Sequence, residues 1–174
     1  MTREQVEHVI PAAAAITNER SFGVIGSQAV LLPYPDAPPD WLVARELDRC
    51  LARAPGKSDF IEGAIDALSQ FDGTFGDCAD GVSADAAVMP PDWMKSASLH
   101  DLGDTTVVCP DMLDLAVSKC VAGRERDARF VAVMLKEKMI SLSTLEPLIQ
   151  QLDPMHPTES LIAWPRRRAE AASA

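Results

Sequence analysis

Two short stretches of the chain carry residue types whose spacing could do chemistry. In Phe22–Leu32, "FGVIGSQAVLL", the residues Phe22, Val24 and Ile25 read as a buried strand, Gly26 and Ser27 as a break, and Gln28 to Leu32 as the first turns of a helix. A small-residue break between strand and helix lets a ligand come close to the backbone, and a helix start offers unpaired N–H groups to an anion such as phosphate. In Trp41–Ala54, "WLVARELDRCLARA", Glu46 and Asp48 stand two residues apart. On a strand that spacing turns both carboxylates to one side, whereas on a helix they diverge by about 200°. What they can do therefore depends on the element that carries them.

Composition removes several alternatives. Cys50, Cys78, Cys109 and Cys120 are scattered, with no C-x-x-C pair, and His8, His100 and His156 form no cluster. Free buried thiols in a reducing compartment are expected, not zinc ligands. The formal net charge of −10 argues against a broad grip on DNA or other nucleic acid. No stretch approaches the ~20 apolar residues of a membrane span. The apolar run Ile10–Ile16 is preceded by Glu4 and Glu7, not by the basic flank of a secretory signal. A cytoplasmic, full-length, untargeted chain follows as the expectation.

The elements that must position the two stretches are legible in part. "TREQ" puts Thr2 and Gln5 at capping-box spacing before a helix carrying Val6, Val9 and Ile10, which Pro11 is expected to end or kink. "PYPDAPPD" at Pro33–Asp40 is a loop. Trp41–Ala54 favours a helix on local propensity, with Val43, Leu47 and Leu51 on one face. Ser58–Gly73 reads as a helix with Ser58 as its cap and Gly73 just past its end. Thr74–Met89, with Gly76 and Gly81 among alternating small residues, suggests a hairpin or irregular strand pair, and "PPDWM" a loop. "TTVVC", Thr105–Cys109, is a β-branched strand. A helix then starts at Pro110 or Asp111 and is ended or bent by Gly123; a second carries Phe130, Val131, Met134 and Leu135. "STLE" at Ser143–Glu146 is a capping box for a last helix. From 154 to 174 the Pro-, Arg- and Ala-rich chain reads as a mobile tail, whose Arg166–Arg168 could touch an acidic partner or RNA.

Three separated pieces, "GS" at Gly26–Ser27, "ELD" at Glu46–Asp48 and "DLAVSKCVAGRERD" at Asp114–Asp127, resemble in that order the DNA polymerase beta-like nucleotidyltransferase superfamily. The resemblance is closest to small bacterial proteins related to the AbiEii-type toxins. "VIGSQAVL", "FDGTFGDCADGV" and "PPDW" add to it, and the match runs from about Phe22 to Leu135. In that family a Gly-Ser or Gly-Gly opens the first helix and an acidic-x-acidic pair sits on the next strand. The resemblance thus implies a strand over at least Val43–Asp48, against local propensity. It implies an α+β fold: a short mixed sheet flanked by helices, with a helical C-terminal half, in one domain over 1–153.

The chemistry implied is transfer of a nucleotidyl group from a nucleoside triphosphate to a hydroxyl of an RNA (tRNA) or protein acceptor, in a toxin–antitoxin or defence setting with an antitoxin as partner. Glu46 and Asp48 would hold Mg²⁺, as one ion or two. Gly26 and Ser27 would meet phosphate oxygens. Lys119 would be a point charge on the triphosphate and Arg124 a second one, while Asp127 would accept the nucleophile's proton or orient Lys119. Asp77, Asp80 and Asp104 are equal candidates for a third carboxylate. A rival reading stays open. Glu46 is one methylene longer than the family's usual Asp, and Arg49 is a cation that competes with a metal, so the same fold could serve as an inactive protein-binding module presenting Trp41 or Trp93.

Overall fold

The structure is a computed structural model; it describes residues 1–38, 41, 46–52, 64, 69–75, 78–81 and 87–173. The chain is mixed α+β and divides into two compact units, Met1–Ala86 with Ala97–Pro110, and Ala87–Ser96 with Asp111–Ala174.

The first unit opens with α1, Arg3–Thr17. The expected capping box is present: the Thr2 hydroxyl accepts from the Gln5 N–H, and Gln5 Oε1 accepts from the Thr2 N–H at 2.6 Å. Val6, Val9, Ile10, Ala13 and Thr17 form the buried stripe. Of the two outcomes expected at Pro11, an end or a kink, the helix does not end there. Pro11 stands on the exposed side, where water can take over the hydrogen bond its ring removes, and the helix runs on to a left-handed Asn18.

Five strands form one mixed sheet: β1 Ser21–Val24, β2 Glu46–Ala52, β3 Cys78–Gly81, β4 Ser98–Leu102 and β5 Thr105–Cys109, in the order β3-β2-β1-β5-β4. β1 is central, antiparallel to β2 and parallel to β5; β2–β3 is parallel and β4–β5 antiparallel. Val24 in β1 and Val107, Val108 and Cys109 in β5 are buried, as strands covered on both faces require. The hairpin β4–β5 turns at Gly103–Asp104, where Gly103 takes the positive φ of +66° that primed hairpin turns need. β4 is the open edge: Leu99 is 68% exposed.

The strand over Glu46–Ala52 agrees with the resemblance and not with local propensity. Lying between β1 and β3, this segment gains ladder bonds on both sides, which outweighs a helical preference worth only tenths of a kcal/mol per residue. Val43–Arg45 lie outside the described residues. Two other expectations shift. After Gly26 the chain makes a 3₁₀ turn, Ser27–Val30, not an α-helix. Most of the Ser58–Gly73 helix lies outside the described residues; Gly73 falls inside α2, Gln70–Phe75, not past a helix end. Within Thr74–Met89, read as a hairpin or irregular strand pair, the described residues give the end of α2 and then β3, which pairs in parallel with β2; 76–77 and 82–86 lie outside the described residues.

The second unit is helical. α3, Met112–Ala122, is capped by Asp111, whose Oδ1 accepts from the Leu113 N–H at 2.9 Å, and ends at Gly123 with φ +64°. α4 covers Glu125–Lys136 and α5 Leu142–Ile149. The cap of α5 is Ser141 with Thr144 in the reciprocal position, not Ser143 with Glu146. The expected mobile tail is α6, Thr158–Ser173. Arg166 anchors it to α5 through two 2.6 Å bonds from its guanidinium to the Glu146 carboxylate. Leu115, Val117, Val131, Met134, Leu145 and Ile149 make the core. No helix among the described residues is long and apolar enough to cross a membrane.

Asp111→Ala, which leaves the first amides of α3 without their acceptor, is expected to cost about 1 kcal/mol and lower Tm by about 2–4 °C. Asp111→Asn keeps an acceptor oxygen and should melt close to wild type; circular dichroism on heating distinguishes them.

Candidate functional site

The site residues expected from the sequence fall into two groups, one in each unit. In the first unit, Gly26 leads directly from β1 into the 3₁₀ turn Ser27–Val30. Gly26 supplies no side-chain cap, and its carbonyl accepts from the Ala29 N–H at 3.1 Å. The turn packs against β2, the strand that carries Glu46 and Asp48 at alternate positions. One signal in this turn was not read from the sequence: Gln28 is buried, and neither its carboxamide nitrogen nor its oxygen has a hydrogen-bond partner.

β3 places one of the three candidate carboxylates by backbone register. Cα partners run Glu46 with Cys78, Leu47 with Ala79 and Cys50 with Gly81, with a register shift between Leu47 and Cys50. Asp80 therefore lies across from the Asp48–Arg49 stretch. Asp104 is elsewhere, in the β4–β5 turn, exposed and ion-paired with Arg20; Asp77 lies outside the described residues. The shift inserts one extra residue in β2 at this point, so strict two-residue alternation does not run through Asp48. Irregularities of this kind are over-represented beside active sites, where they re-aim a side chain. Among the described residues no three His, Cys, Asp or Glu gather as a metal site. What fits Mg²⁺ here is the donor type, hard carboxylate oxygen, at the adjoining backbone positions 46, 48 and 80.

In the second unit the sequence order becomes a compact charge cluster. Gly123 turns the chain between α3 and α4, bringing Lys119 in the last turn of α3 beside Asp127 in the first turn of α4. A cation at a helix C-terminus and an anion at an N-terminus each oppose the local partial charge of the backbone. Lys119 Nζ lies 3.3 Å from Asp127 Oδ1, and both residues are buried, at 4% and 1% exposure. Arg124 closes the carboxylate from the outside, with Nε 2.6 Å from Oδ2 and Nη2 3.3 Å from Oδ1. Phe130 lies beneath Lys119, its ring centre 5.5 Å from Nζ.

Burial pushes the Asp127 carboxyl up, but the Arg124 hydrogen bonds and the Lys119 charge outweigh it and hold the group below its ordinary value. An acid held ionised by two cations is a poor proton acceptor and a good anchor, so the geometry suits the positioning of Lys119 better than general-base work. On α3, Asp114 is buried with no ion pair among the described residues. Its Oδ2 accepts a 2.5 Å bond from the Ser96 hydroxyl, yet burial, together with Asp111, raises its pKa. The thiols of Cys109 and Cys120 are pushed up to about 12, chiefly by burial, and are unreactive at neutral pH.

No family model, no curated protein and no solved structure matches this chain.

Asp127→Asn removes the carboxylate charge 3.3 Å from the buried Lys119 ammonium, and a loss of about 3–5 kcal/mol is expected in urea denaturation. The two acids of α3 and α4 give opposite pH dependences. Asp127, with its folded pKa below 3.8, contributes stability that is complete above pH 3.8 and is lost as pH falls through the folded value. Asp114, with its folded pKa above 3.8, makes stability decline as pH rises from 3.8 through its raised value. Asp114→Asn removes that decline, so denaturation should show the variant gaining more on wild type at pH 7 than at pH 4.

Proposed function

We propose that the chain binds a nucleoside triphosphate with Mg²⁺ and transfers its nucleotidyl group to an acceptor hydroxyl on RNA or protein. The observation that carries the reading is β2: against its helical propensity, the Glu46–Asp48 segment is extended, next to the Gly26–Ser27 turn on one side and to Asp80 on β3 on the other. The resemblance implies an acidic-x-acidic pair on a strand that follows a Gly-Ser break, and the extended Glu46–Asp48 segment supports that reading. A divalent ion held by those carboxylates would neutralise charge developing on the phosphate oxygens. Gly26 and Ser27 offer backbone N–H groups and a hydroxyl to a phosphate. Lys119 serves as a fixed positive charge, with Asp127 as the residue that positions it, and Arg124 lies at the exposed side of the same carboxylate. In this reading the partners are the triphosphate, the acceptor and, where the chain acts as a toxin, an antitoxin.

A second reading, an inactive module that binds a protein partner, is favoured by one observation. Lys119 and Arg124 are both paired with Asp127, so the cations assigned to the triphosphate already have a counter-ion.

Thermal shift separates the two. A ligand at ~100 times its Kd adds about 2.7 kcal/mol to the folded state. Transfer predicts that one or more nucleoside triphosphates raise Tm only when Mg²⁺ is present, that Asp48→Ala loses this rise, and that the variant no longer transfers label from the triphosphate. A wild-type chain whose Tm is indifferent to every triphosphate with Mg²⁺ excludes the first reading. Unchanged label transfer by Asp48→Ala removes that carboxylate from the mechanism.

A further inference from the structure

The arginine run of α6 has no part in the chemistry above. Of its three guanidiniums, Arg166 is bound to Glu146, with the charge of Glu170 close by. Arg167 and Arg168 are exposed and form no ion pair among the described residues. With Trp164, Gly123 and Ala128 they line a cavity of about 470 Å³. Positions 164, 167 and 168 are three and four residues apart, so one face of α6 presents an indole ring flanked by two guanidiniums. The wall contributed by the α3–α4 corner is made of small residues, Gly123 in its left-handed turn and Ala128 in α4, which leave room for a planar group.

The charge of the chain is unevenly distributed in a way that matters for this cavity. The second unit has ten Lys and Arg against ten Asp and Glu, while the first has six against sixteen. The net charge of −10 therefore belongs to the first unit, and the second is neutral.

We propose that this cavity binds single-stranded nucleic acid, with Arg167 and Arg168 on successive backbone phosphates and a base against the Trp164 ring. Guanidinium forks match phosphate oxygens in geometry as well as charge. Every base offers a flat face for an aromatic ring, so recognition of this kind tolerates sequence. The volume falls within the roughly 300–1,000 Å³ of small-molecule pockets and exceeds what a lone anion occupies. A duplex keeps its bases stacked inside and cannot present one to the indole. An acidic peptide supplies carboxylates but no ring. The site does not depend on the proposed nucleotidyl transfer.

The test is fluorescence anisotropy of the full chain with a labelled single-stranded RNA dodecamer of mixed sequence, titrated at several salt concentrations. Wild type is expected to bind saturably at ~50 mM salt, with affinity falling by about 0.7 log units per log unit of salt for each phosphate held. R167Q/R168Q is expected to weaken binding at least tenfold and to flatten that slope by about 1.4, two phosphates' worth. Both side chains are exposed and unpaired, so the variant should keep the wild-type Tm. Arg166→Gln is the control: it should lower Tm by releasing α6 from Glu146 while leaving affinity within about twofold, since it removes only diffuse charge. Equal binding by wild type and R167Q/R168Q overturns the proposal, as does an absence of saturable binding at low salt. Displacement of the RNA by inorganic phosphate, by an acidic peptide or by duplex RNA at equal charge concentration also overturns it.

Discussion

The helical unit depends on one buried carboxylate. Asp127 holds Lys119 from the inside and Arg124 from the outside across the corner made by Gly123, and a buried carboxylate there is costly without an opposite charge beside it. A lysine ammonium at 4% exposure has given up most of its hydration, and the Asp127 carboxylate and the Phe130 ring are among the groups that offset that loss. Replacing such a pair by apolar residues is often neutral or stabilising, so its presence is weak evidence for stability and better evidence for fixing one arrangement of α3 against α4. A charge held this rigidly is also what electrostatic catalysis requires, because it need not reorganise when charge develops on a substrate.

The sheet is governed by a different constraint. β1 is four residues long and central, so it must find partners on both edges: β2 supplies one and β5 the other, in opposite directions. The antiparallel β1–β2 pairing is what carries Glu46–Asp48 back past the Gly26 turn, and the parallel β2–β3 pairing is what brings Asp80 alongside. The shift in β2 falls where these acidic positions meet.

Legibility in the sequence followed the range of the forces involved. Local signals were readable: the Thr2–Gln5 box, the Asp111 and Gly123 boundaries of α3, and the β-branched run of β5 each act within a few residues. Glu46–Ala52 was not readable from its own residues, because its state is decided by strands 22 residues earlier and about 30 later; only the resemblance pointed to it. β4 was overlooked although Gly103–Asp104 before "TTVV" is a hairpin signal; its alternation is weak because it is an edge with an exposed leucine. α6 was hidden by Pro165 and the arginine run, which read as breaker and solvated charge until Glu146 appears across from Arg166. At the site, the grouping of Lys119, Arg124 and Asp127 was implied by the resemblance, and the Gly123 corner between α3 and α4 is what brings them together. The isolation of Gln28 and the proximity of Asp80 to Asp48 are tertiary facts that spacing cannot encode.

The position of α3 has a kinetic corollary. Eight of its eleven residues are buried, Asp114, Ser118 and Lys119 among them, so no face of this helix can open without exposing either core or charge. Its amides should therefore exchange with solvent deuterium only through the largest unfolding events of the helical unit, while those of the β4 edge escape through small local openings. A chain built this way would keep its buried ammonium in place on the timescale of any turnover, and would lose it only together with the whole helical unit.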